Sequence, residues 1–174
     1  HDSFGRTVTQ TSPTGTITEN AAFDALDRVL EVKVGTAGNM TTVSRHYFDH
    51  TMSMGSPVQG QGNGNETFTR RYTADNGTLA ADVRDTIRTF DARDRLITVQ
   101  TPQAPYEFIV YDNLDRISER ALFNGTSGVP TAINSPLTDR GLYSKSLYNQ
   151  RGLLYRQQVA IVPNVATPVV YLET

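Results

Sequence analysis

Phe90-Asp91-Ala92-Arg93-Asp94-Arg95-Leu96 and, twenty-one residues later, Tyr111-Asp112-Asn113-Leu114-Asp115-Arg116-Ile117 follow one pattern. An aromatic is followed by Asp, two variable residues, Asp, Arg and an apolar residue. Phe23-Asp24-Ala25-Leu26-Asp27-Arg28-Val29 is a third full copy. His1-Asp2-Ser3-Phe4-Gly5-Arg6-Thr7 and Tyr148-Asn149-Gln150-Arg151-Gly152-Leu153-Leu154 are looser copies, and a decayed one begins at Phe48-Asp49. The starts at 1, 23, 48, 90, 111 and 148 are separated by steps of 22, 25, 42, 21 and 37. The unit is therefore 21 to 25 residues, with 42 as two units and 37 as one unit carrying an insertion. A repeat of this kind decides the architecture before local propensity is consulted.

Each unit reads as a β-hairpin. Leu30, Val32 and Val34 alternate with Val29, Glu31 and Lys33 after one motif. Tyr106, Phe108 and Val110 alternate with Glu107, Ile109 and Tyr111 before another. This is the period of a half-buried strand. The Asp at the second motif position can accept backbone N–H groups two residues ahead and start a type I turn. The residue three places on closes the turn in a left-handed conformation, free of strain at Gly5 and Gly152 and costlier at Asp27, Asp94 and Asp115. The aromatic and the Arg flank that turn, where a cross-strand contact of ring and guanidinium is expected.

Composition agrees with strands. Of 174 residues, 23 are Thr, and Lys occurs only at 33 and 145 against 14 Arg. Thr, Val, Ile, Tyr and Phe suit a pleated surface. Sixteen basic against 18 acidic residues give a net charge of −2, without the basic footprint of a general nucleic-acid binder. No apolar run approaches the roughly 20 residues of a membrane-spanning helix. The absence of cysteine removes disulfides, thiolate metal sites and a cysteine nucleophile.

The motif copies resemble the YD repeats of the RHS/YD-repeat family, over most of the chain. The resemblance implies an all-β fold in which tandem hairpins form a continuous, spiralling antiparallel sheet, the wall of a hollow shell that encloses a toxin or cargo polypeptide. On this reading residues 1–174 are one YD-repeat domain of about eight hairpin-like units, with loop insertions near 55–65 and 124–141. Two departures stand out. Asp replaces the family's usual turn Gly at Asp27, Asp94 and Asp115, and no segment resembles its associated core or autoproteolytic site. Eight units are too few to close a shell alone.

Two other segments need a reading. Gly55 to Asn65 has a loop composition, and so does the stretch from Asn124 through Pro136 to Gly141. Leu79, Val83, Ile87 and Phe90 recur at helical spacing with Asn76 or Thr78 as a cap, but they lead into a motif copy. A strand is predicted there.

Candidate sites reduce mostly to structure. His46 and His50, with Asp49 between them, would share an ion on a helix but stand about 13 Å apart on a strand, so no metal site is predicted. Asp82/Asp85 and Asp112/Asp115 have the look of paired catalytic acids. Asp112 and Asp115 recur in other copies, however, as turn residues do and catalytic residues do not. No Gly-x-Ser-x-Gly elbow accompanies the Ser, His and Asp residues, and Gly60 to Gly64 lacks the Lys-Ser/Thr of a phosphate loop. Sequons at Asn39, Asn65, Asn76 and Asn124 fall near predicted turns. The line of Arg6, Arg28, Arg95 and Arg116 is offset by neighbouring Asp residues, so its expected role is to brace hairpins.

The sequence thus predicts a non-catalytic structural protein without a cofactor, extracellular or at the cell surface. The alternatives are a segment of a cargo-enclosing shell, or a carbohydrate-binding module for surface glycans. The motif at His1-Asp2 lacks a leading strand, and Val169-Val170-Tyr171-Leu172 is a strand without a following motif. The two ends complement each other. Head-to-tail association of identical copies through these residues is the expected partnership.

Overall fold

The computed structural model describes residues 1–53, 56–59, 63–73, 83–124, 140–161 and 169–173. The fold is all-β and antiparallel, with no helix among the described residues. Strands that neighbour one another in the sheet also follow one another in sequence, apart from one inserted hairpin. Internal contacts divide the chain into two units, 1–86 and 87–174.

The first unit is built from β1 (Thr9–Thr11), β2 (Ile17–Phe23), β3 (Val29–Thr36), β4 (Asn39–Phe48) and β7 (Glu66–Tyr72), hydrogen-bonded in that order. Between β4 and β7 the chain makes a separate two-stranded sheet, β5 (His50–Ser53) with β6 (Ser56–Gln59). Part of the loop expected over 55–65 is therefore strand, in spite of its Gly, Gln and Asn content. Phe68 is 1% exposed and meets the Tyr47 ring at 5.2 Å.

β8 (Val83–Phe90) begins in the first unit and ends in the second. It is a strand, as the motif that follows it required. The second unit continues with β9 (Leu96–Gln100), β10 (Tyr106–Tyr111), β11 (Ile117–Phe123), β12 (Arg140–Tyr148), β13 (Leu154–Ile161) and β14 (Val169–Glu173), again in order. Its main buried cluster lies on one face of the sheet, and Ile109 is buried on the other. Phe108 lies opposite Ala121 and Tyr106 opposite Phe123, with Ile97, Val110 and Tyr143 packed around them. Alternation on β10 predicts this face correctly for Tyr106, Phe108 and Val110. Residues 125–139, which hold most of the second expected loop, lie outside the described residues, as do Asn76, Leu79 and Asp82.

Every motif turn whose two flanking strands pair carries a register shift at its aromatic. Two residues then oppose one, as in a β-bulge. Leu30, Thr67, Ile97, Ser118 and Tyr155 are the extra residues. The same local irregularity recurs from hairpin to hairpin, so each ring leaves its strand in the same direction relative to its turn.

Candidate functional site

The repeated turn is the most elaborate polar structure of the molecule. Asp24 Oδ1 accepts the backbone N–H groups of Leu26 and Arg28, each at 2.9 Å, and Oδ2 accepts Arg28 Nε at 2.6 Å. Asp2, Asp91 and Asp112 repeat these three bonds on Phe4 and Arg6, Arg93 and Arg95, and Leu114 and Arg116. Asn149 makes the two backbone bonds, to Arg151 and Leu153, and has Leu153 where the others have Arg. Gly5, Asp27, Asp94, Asp115 and Gly152 close their turns at φ between 61° and 80°. A carboxylate held in this way stays ionised, and Asp91 is lowered to about 2. For Asp91 and Asp112 the Arg hydrogen bond is the main cause. For Asp2 and Asp24 desolvation pulls upward but the combined bonds from Arg and the backbone outweigh it.

The guanidinium that closes one turn also reaches the next. Arg6 lies over the Phe23 ring at 4.3 Å, Arg28 over Phe48 at 3.9 Å, Arg95 over Tyr111 at 4.6 Å and Arg116 over Tyr148 at 4.1 Å. Phe23, Phe48, Tyr111 and Tyr148 thus each face a guanidinium. Ring meets cation, each supplied by a different copy, and the cation is not that of the ring's own turn. A ring face attracts a cation more strongly than it attracts another ring face.

The free ends of Arg6, Arg28 and Arg95 find an acceptor in that next turn. Arg6 Nη1 donates to Asp27 Oδ1 at 2.7 Å, and Arg95 Nη1 donates to Asp115 Oδ1 at 2.6 Å. At Asp27 and Asp115 this accounts for the departure from Gly: the carboxylate receives the preceding copy's Arg, which offsets the cost of the left-handed φ.

Where the closing residue is Gly, two solutions appear. Arg28 Nη1 donates to the Gly64 carbonyl at 2.7 Å, whereas Arg116 Nη1 is buried without a partner among the described residues. A Cβ on Gly152 would lie 3.1 Å from that nitrogen. Gly152→Ala should therefore lose about 1 kcal/mol or more to the positive φ, while Gly152→Asp, which supplies the missing acceptor, should be at least as stable as the parent. Thermal melts of the two variants side by side check this; equal losses would show that the guanidinium does not read this position.

The decayed copy keeps the closing backbone bond of the turn, with Asn65 in the place of Arg, and is interrupted. Asp49 accepts the Gly64 N–H on both carboxylate oxygens, at 2.8 and 3.0 Å, and its own N–H donates to the Asn65 carbonyl. Gly64 has φ 89° and takes the place of Asp27. Fourteen residues, β5 and β6 among them, stand where other turns have two. The alternating run that follows Gly64 was the available signal for this turn.

His46 and His50 do not converge. His46 Nδ1 bonds Glu66 and its Nε2 lies 3.1 Å from Ser44 Oγ, while His50 Nδ1 faces the Phe48 carbonyl at 2.7 Å. Asp85 is held by Arg70 through two bonds of 2.8 Å. No cluster of three metal-ligating side chains occurs among the described residues. Val169, Val170 and Leu172 lie on β14, opposite Ile161, Ala160 and Val159, with Tyr171 at the register shift between them. His1 takes the aromatic place of its turn, with Nδ1 3.1 Å from the Gly5 carbonyl. Asn39 is exposed at the β3–β4 turn.

No family model and no curated protein matches the chain. Solved structures that resemble it include the crystal structures of TcdB2-TccC3, TcdB2-TccC3-Cdc42 and TcdB2-TccC3-TEV. Identities are 14–16%, TM-scores 0.36–0.38, and 90–99% of this chain is covered. The chain spans about 10% of the length of each.

Proposed function

We propose that this chain is a non-catalytic structural repeat protein that forms the wall of an extracellular assembly and joins copies of itself head to tail. The observation that carries the reading is the coupling of successive turns: Arg6, Arg28 and Arg95 each close their own hairpin, stack on the next ring and bond the next turn, and Arg116 closes its hairpin and stacks on the next ring. Cohesion is thereby distributed along the whole repeat, as a wall requires, and nothing in the ladder is unique to one place, as a catalytic site would be. Repeat sheets also propagate by nearest-neighbour contacts. In their respective units β1 and β14 each have one paired neighbour among the described residues, and an open strand edge is a template for another chain.

The motif's likeness to YD repeats supports a second reading, a segment of an RHS-type shell around a toxin or cargo polypeptide. The glycan-binding alternative gains less. The motif rings Phe23, Phe48, Tyr111 and Tyr148 lie beneath guanidinium groups and offer no open stacking platform.

Light scattering of the intact chain, with negative-stain microscopy, tests head-to-tail joining. Oligomers that grow with concentration are expected, with loss of assembly on deletion of residues 169–174. A monodisperse monomer at all concentrations removes the self-association, and unchanged assembly after the deletion removes the role of the last strand.

A further inference from the structure

One hydrogen-bonded chain of polar side chains lies outside the turn ladder. Ser44 and His46 alternate with Arg45 on β4 and so share a face, and Glu66, opposite Phe48 on β7, stands on that face too. Ser44 Oγ lies 3.1 Å from His46 Nε2, and His46 Nδ1 bonds Glu66 Oε1. A carboxylate at Nδ1 keeps the imidazole proton there and turns the Nε2 lone pair toward the hydroxyl. The order is hydroxyl, base and orienting acid, the arrangement that activates a serine.

Two further features lie beside this chain, one opposite Ser44 and one at His46. Arg71 is directly opposite Ser44 in the β4–β7 register, which sets their Cβ atoms about 4.5–5.5 Å apart on one face. Its side chain is exposed and makes no ion pair with other described residues, whereas neighbouring Arg70 is committed to Asp85. His46 also borders a hollow of about 380 Å³, together with Arg28, Leu30, Tyr47 and Phe48. That volume is within the range of small-ligand pockets.

We propose that Ser44 is an activated nucleophile that accepts an acyl group from an ester or thioester. Ser44 Oγ forms a bond to the carbonyl carbon as the carbonyl π pair moves onto oxygen, and His46 Nε2 takes the hydroxyl proton. Arg71 faces the negative charge that develops. The tetrahedral intermediate then collapses, the bond to the alkoxide or thiolate breaks, and the leaving group departs with the proton from His46. Ser44 remains as its acyl ester, and no electrons are gained or lost overall. Glu66 is a positioning residue that acts through His46. The step goes beyond the structural reading and stands independently of it.

Treating the intact chain with p-nitrophenyl acetate, followed by intact-mass measurement and peptide mapping, tests the proposal. A single acetyl group on Ser44, absent in Ser44→Ala, is expected. His46→Ala should slow acylation by about 100-fold or more. Glu66→Gln should lower the maximal rate while leaving the ester concentration at half-maximal rate unchanged, a split that a purely structural change does not produce. Circular dichroism identifies any variant that fails to fold, and Ser44→Ala, which removes only one oxygen, serves as the folded control. No acetyl group on Ser44, acetylation scattered over many Ser and Lys residues, or a rate at Ser44 indifferent to both His46→Ala and Glu66→Gln overturns it.

Discussion

Replacing Phe123 by Ala should cost about 3–5 kcal/mol, the range for emptying an aromatic site in a packed core. Phe123 is 2% exposed and packs with Phe108 and Ala121 in the most buried cluster of the second unit. Its ring has few neighbours able to collapse into the vacancy, because Ala121 is small and strand pairing fixes Tyr106 opposite it. A domain has only about 5–15 kcal/mol of total stability, so the variant should melt at a much lower urea concentration. Leu114→Ala is the matched control. Leu114 is 65% exposed on a turn, and its loss should stay within about 0.5 kcal/mol. A Phe123→Ala loss below about 1 kcal/mol would show that this face is not the core.

Acid should dismantle the turns together. Asp2, Asp24, Asp91 and Asp112 are all held below the ordinary aspartate value in the folded chain. The unfolded chain, with aspartates near about 3.9, therefore binds more protons than the folded one as pH falls. Stability from these groups is fully present above about pH 4 and is lost as pH drops through the folded values, down to about 2 for Asp91. Melting temperatures measured from pH 5 to pH 2 should fall steadily across that window. Asp91→Asn should lower the plateau at neutral pH and flatten the acid slope, since an amide keeps backbone bonds of the kind Asn149 makes but carries no charge. A parent chain with a flat profile from pH 5 to pH 2 contradicts the role assigned to these carboxylates.

The turns were legible in sequence because their determinants are local. An Asp that reaches backbone groups two and four residues ahead, and a residue able to take positive φ, both lie within one six-residue motif. The core face of β10 was legible for the same reason, as simple alternation. The coupling between copies was not. That Arg6 reaches Phe23 of the next turn, as well as Phe4 of its own, depends on strand pairing and on the bulge at each aromatic, which composition does not encode. The exchange of Gly for Asp at position 27 looked like strain and became meaningful only with Arg6 beside it. Hairpin β5–β6 was hidden by its own residues, since Ser56, Pro57 and Gln59 beside a Gly-rich stretch signal a loop even where backbone pairing holds them in a strand. At Ser44 and His46 the alternation was visible, but Glu66 joins them only through a shifted register twenty residues away.

The turn interrupted by β5 and β6 has a consequence for how such chains diversify. Its two margins are fixed from outside the inserted segment: Asp49 grips Gly64 and Asn65, and Arg28 pins both Phe48 and Gly64 from the adjacent hairpin. The ends of the insertion are thus brought together whatever lies between them. Lengthening a closed loop adds little entropic cost, about 0.6 kcal/mol per doubling. A turn of this kind is a socket: new sequence can be grafted into it, by recombination or by design, and the repeated scaffold on either side keeps its register.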